Sequence, residues 1–72
     1  LAGQSITTTN GGYQEITSGP CMIRSSEENV YVNETAVDAS SGYQFTVESG
    51  KYYRIITQNG TEAPYVTVVK GK

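Results

Sequence analysis

Seventy-two residues, seven acidic against five basic, with a net charge of -2 and a pI near 4.8, describe one small domain without the basic field that holds a phosphate backbone, which argues against nucleic acid as a partner. A chain this short buries only roughly 60% of the surface its unfolded form exposes, so disulfides, a structural metal or association usually support the core. A single cysteine, Cys21, excludes an internal disulfide, and the lack of histidine or a second thiol excludes the common zinc sites, so association is the expected support.

The apolar runs are too short to cross a bilayer and no signal-like apolar segment precedes the domain, so no membrane partner is expected. The chain begins at Leu1, which reads as a processed product, an expressed segment or part of a longer polypeptide. Threonine, valine, isoleucine and tyrosine recur, and no window keeps apolar residues at helical spacing for two turns. In chain order the expected strands are 4–9, 13–17, 20–25, 29–33, 43–48, 51–57 and 64–70. Breaks fall at Asn10-Gly11-Gly12, Ser18-Gly19-Pro20, Ser25 to Asn29, Ser40-Ser41-Gly42, Ser49-Gly50 and Asn59-Gly60. Turn signals at this short, regular spacing predict an all-β fold: a small antiparallel β-sandwich or barrel of six to seven short strands spanning residues 1–72. The threonine-rich start also fits an extended arm over residues 1–12, which would carry Ile6 and Thr8 to a neighbour.

Strict alternation marks residues 43–57. Tyr43, Phe45 and Val47 share one face and Gln44, Thr46 and Glu48 the other; beyond the turn, Tyr53, Ile55 and Thr57 share a face, leaving Tyr52 and Arg54 facing out. Apolar matching within a hairpin sets Val47 against Tyr53 and Phe45 against Ile55, over a three-residue loop.

Catalytic constellations are missing from this pattern. Without histidine, a nucleophile would need a lysine or carboxylate base, and no residue is marked as one; Cys21, between Pro20 and Met22, reads as a small buried hydrophobe. Glu27-Glu28-Asn29, with Glu34 and Asp38, lacks the tight spacing of a calcium loop and reads as a solvated turn. Asn33-Glu34-Thr35 and Asn59-Gly60-Thr61 match the short N-glycosylation pattern, which matters only in a secreted eukaryotic protein. No catalytic, cofactor-binding or metal residue is therefore assigned, and the expected class is non-enzymatic. Lys51-Tyr52-Tyr53-Arg54 mixes cations with rings, as sugar sites and protein interfaces do; with Tyr53 turned to the core, Tyr52 and Arg54 are the expected partner contacts.

Several segments share a pattern with a known group. Gly19-Pro20 leads into the apolar strand Cys21-Met22-Ile23, a polar turn precedes Val30-Tyr31-Val32, and Val37-Asp38-Ala39-Ser40-Ser41-Gly42-Tyr43-Gln44-Phe45 follows. Then come Gly50, the aromatic strand Tyr52-Tyr53-Arg54-Ile55, Asn59-Gly60-Thr61 and the closing Val66-Thr67-Val68-Val69. From Ser18 to Val69 this order resembles the small β-structured capsid decoration proteins and head-fibre capsid anchors of tailed bacteriophages. Asn33-Glu34 stands where a glycine commonly follows the Val-Tyr-Val strand in that group, and the first 17 residues have no counterpart in it. The resemblance implies a virion structural protein on the outer capsid surface. Its partner would be the major capsid protein, and it would act as a homo-oligomer, trimers being favoured. A different reading is a glycan- or receptor-binding β-module of a larger surface or fibre protein, motivated by six tyrosines in so short a chain.

Overall fold

A computed structural model describes residues 3–72. Eight strands form: β1 (Gln4–Ile6), β2 (Gly12–Ile16), β3 (Gly19–Ile23), β4 (Asn29–Val32), β5 (Thr35–Val37), β6 (Tyr43–Val47), β7 (Tyr52–Gln58) and β8 (Tyr65–Gly71), with no helix among the described residues. They make a three-stranded sheet in the order β1-β3-β6 and a five-stranded sheet in the order β2-β8-β7-β4-β5. The expected all-β fold of short strands is present, and every expected break falls between strands or at a strand end.

Two features differ from the expectation. The sheets are mixed, because β1 runs parallel to β3 and β2 runs parallel to β8, while the other pairings are antiparallel. The chain rises in one sheet, returns in the other and rises again beside its first pass, so β1 and β3 share a direction. The eighth strand, β5, closes a hairpin on β4 through the two residues Asn33 and Glu34, in a stretch where no strand is expected from the sequence.

The hairpin expected across Ser49-Gly50 does not form, and the register setting Val47 against Tyr53 and Phe45 against Ile55 is absent. β6 pairs with β3, and β7 lies between β8 and β4 in the other sheet. The reason is geometric. The apolar faces of residues 43–47 and 53–57 meet face to face across the sandwich rather than side by side in one sheet, with Phe45 and Tyr53 rings 5.5 Å apart between centroids. A turn at residues 48–51, closed by the Lys51 N–H to the Glu48 carbonyl, carries the chain between sheets with Gly50 at φ 78°. Tyr53 fastens this corner: its hydroxyl accepts from the Glu48 N–H at 2.8 Å. Gly71 lies beneath, where a Cβ would collide with the Glu48 carbonyl.

Between the sheets lies a core of Ile6, Ile16, Cys21, Ile23, Val30, Val32, Ala39, Val47, Tyr53, Ile55 and Val69. The small sheet supplies Ile6, Cys21, Ile23 and Val47 from its inner face, and the large sheet supplies Ile16, Val30, Val32, Tyr53, Ile55 and Val69. Cys21 is buried, as the apolar strand around it suggested; its thiol donates to the Phe45 carbonyl, and burial pushes its pKa up.

The N-terminal segment is corrected over residues 3–12. Gln4 to Ile6 pair with Cys21 to Ile23, and Ile6 is 5% exposed, so this side chain belongs to the core and cannot reach a partner. Thr8 is half-buried in the link between β1 and β2. Thr9 is held on β8: the Thr67 hydroxyl accepts from the Thr9 N–H and donates to the Thr9 carbonyl, both at 2.8 Å. Gly11 continues the attachment with its N–H to the Val66 carbonyl. A chain with these ties does not leave the domain, and the radius of gyration of 11.3 Å equals the roughly 11 Å of a compact body of this length. Leu1 and Ala2, which complete the expected arm, lie outside the described residues.

Candidate functional site

Strand alternation divides the five-stranded sheet into the core face and an outer face that no other element among the described residues covers. Three rows of cross-strand neighbours cross that outer face. Glu15, Lys70 and Tyr52 form one; Tyr13, Val68 and Arg54 form the next. Val66, Ile56, Tyr31 and Ala36 form the third, running across β8, β7, β4 and β5. The third row contains no charge, which is unusual on a surface where alternation normally places polar residues.

Tyr52 and Arg54 are both exposed, as alternation predicted. Tyr52 is 60% exposed and Tyr13, which sequence reasoning did not single out, is 56% exposed. The parallel pairing of β2 with β8 brings these two rings toward each other over β8. Lys70 reaches across from β8 with its ammonium 5.6 Å from the Tyr52 ring centroid, within range of a cation–π attraction. Tyr13 donates its hydroxyl to Glu15 Oε2 at 3.3 Å. Partial desolvation at the sheet surface, followed by the Glu15 carboxylate and Tyr52, raises the Tyr13 pKa, so the phenol is neutral and a donor at neutral pH.

Arg54 sits between Tyr52 and Ile56 along β7 and beside Val68 across to β8. Its backbone is fixed from the β4–β5 turn: the Arg54 N–H donates to Asn33 Oδ1 and the Asn33 N–H to the Arg54 carbonyl, both at 2.9 Å. Its guanidinium has no partner among the described residues. The backbone is pinned, and among the described residues the charge is unpaired, with Tyr52, Ile56 and Val68 as its strand and cross-strand neighbours. Four of the five cationic residues, Lys51, Arg54, Lys70 and Lys72, belong to β7, β8 or the residue beside them, whereas Glu27, Glu28 and Glu62 gather where β4 begins and β7 gives way to β8.

Among the described residues no group of three or more acidic, histidine or cysteine side chains could hold a metal ion, and no helix is long and apolar enough to cross a membrane. No family model matches the chain, and no curated protein and no solved structure matches it.

Proposed function

We propose that the chain is a non-enzymatic structural protein of a virion that docks on the outer capsid surface through the outer face of its five-stranded sheet. The observation that carries the docking reading is that face: three rows mixing Tyr13, Tyr52, Tyr31, Val66, Val68 and Ile56 with a pinned, unpaired Arg54. Tyrosine and arginine are the residues in which interfaces concentrate their energy, and the uncharged row beside Arg54 loses water at little cost. The virion assignment rests on the resemblance between Ser18 and Val69.

The mechanism is interface burial. A preformed sheet covers a seam between shell subunits, and local opening of the shell then has to break those contacts as well. The face itself is small, so single contacts are modest; repetition on a symmetric lattice, and association of the chain into trimers, make them effective together. Closing water away from Arg54 requires a countercharge, so the capsid surface opposite should present a carboxylate.

The test is co-sedimentation of the purified chain with heads of tailed phages. Binding should saturate at a fixed ratio to shell subunits, Tyr52→Ala should weaken it and Arg54→Glu should abolish it. A monomer that ignores every shell at high concentration, or an Arg54→Glu variant that binds as well as the parent, overturns the proposal.

A further inference from the structure

At the opposite end of β7 and β8 from Tyr52 and Lys70 lies a polar hollow of about 50 Å³, lined by Glu27, Thr57, Gln58, Asn59, Glu62, Ala63 and Tyr65. Its walls are fixed before any ligand arrives. Gln58 Nε2 donates to the Glu62 carbonyl at 2.6 Å, Asn59 Oδ1 accepts from the Glu28 N–H at 2.8 Å, and the Glu62 N–H closes the turn on the Asn59 carbonyl at 2.9 Å. Those bonds leave the second atom of each amide, Gln58 Oε1 and Asn59 Nδ2, without a partner among the described residues, together with the Glu27 and Glu62 carboxylates and the Tyr65 hydroxyl. Tyr65, also in the lining, is 50% exposed.

We propose that this hollow binds a single neutral pyranose ring. The chemistry selects that class by exclusion and by match. Two carboxylates with no cation in the lining repel an anion, the polar walls disfavour an apolar ligand, and too few acidic groups gather for a metal. A pyranose has hydroxyls that donate to carboxylate and amide oxygens and accept from an amide N–H₂, and an apolar C–H face that lies on an aromatic ring. The volume, about 50 Å³, falls far below the roughly 300 Å³ at which drug-sized sites begin, so the hollow seats one edge of a single ring, such as a terminal or branch residue of a glycan, and leaves the rest of that ring in solvent. One ring buries little area, so the affinity is weak, with a dissociation constant on the order of 1 mM or above. This site is independent of the docking face, and neither proposal depends on the other.

The experiment is a ¹⁵N–¹H titration of the whole chain with the methyl glycosides of glucose, galactose, mannose and N-acetylglucosamine, with lysine amide as a cationic control. At least one glycoside should shift the amides of Gln58, Asn59, Glu62 and Tyr65 saturably and leave those of β1 and β2 in place. Tyr65→Ala should weaken binding at least tenfold and Tyr65→Phe should retain most of it; Glu62→Gln, on an exposed turn, should weaken it severalfold and serves in place of Tyr65→Ala if that variant does not fold. The absence of saturable shifts with every glycoside overturns the proposal, as do shifts scattered outside the hollow or lysine amide binding there more tightly than any sugar.

Discussion

Asn33 and Glu34 carry φ of 49° and 70°, the left-handed pair that a two-residue turn between β4 and β5 demands. Asparagine tolerates that region, and here its side chain is also used, since Oδ1 receives the Arg54 N–H. Glutamate has no such compensation, and its left-handed backbone costs roughly 1–2 kcal/mol. Glu34→Gly is therefore expected to stabilise the protein by about 1 kcal/mol in chemical denaturation, while Asn33→Ala should destabilise it and loosen Arg54. The residue types Asn-Glu give no hint that a further strand, β5, follows. A second residue-scale prediction concerns Tyr13. Its raised pKa means that the folded state favours the neutral phenol, so its contribution is fully present below the ordinary tyrosine value and is lost as pH rises through the folded value. Ultraviolet titration should find one tyrosine ionising above the ordinary range, and Glu15→Gln should move it partway back.

At the scale of elements, two ties hold strands that the alternation pattern alone could not order. The Thr67 hydroxyl joins β8 to the backbone of Thr9 on both its N–H and its carbonyl. Thr67→Val keeps the shape but leaves two backbone groups unpaired, at a cost of roughly 1–3 kcal/mol each, reduced where water reaches them. Hydrogen exchange should then speed up at Thr9 and Gly11 before it does so in β7. Gly71→Ala should be worse tolerated, because the added Cβ meets the Glu48 carbonyl and the corner fastened by Tyr53 must shift; thermal melting should fall by more than for alanine at the exposed Gly60. The strands themselves were largely legible. Tyr43, Phe45, Val47, Tyr53, Ile55 and Thr57 face inward as their spacing indicated. Their pairing was not legible, since the same two apolar faces can meet within one sheet or across two, and period-two alternation is identical in both cases. β5 escaped because three residues are too few to show a period, and Ile6 was assigned outward because a threonine-rich stretch with one apolar residue shows no clear face.

For the molecule as a whole, the candidate site assembles from segments far apart in the chain. Tyr52 and Arg54 could be found from local alternation, but Tyr13 and Lys70 become their neighbours only through the parallel β2–β8 pairing, which joins the two ends of the chain and has no local signature. The core is small, and association is expected to add to it. A ligand that binds only the folded state adds about 2.7 kcal/mol when present at 100 times its dissociation constant, which in a domain of this size raises the melting temperature by on the order of 10 °C. Melting in the presence of saturating shells should show that rise, and the Arg54→Glu variant should not. The most direct measurement is cryo-electron microscopy of decorated heads. It should show the domain at regular lattice positions with Tyr13, Tyr52 and Arg54 turned toward the shell and a capsid carboxylate opposite Arg54; heads without ordered density, or density in which the three-stranded sheet meets the shell and the five-stranded sheet faces solvent, would contradict it.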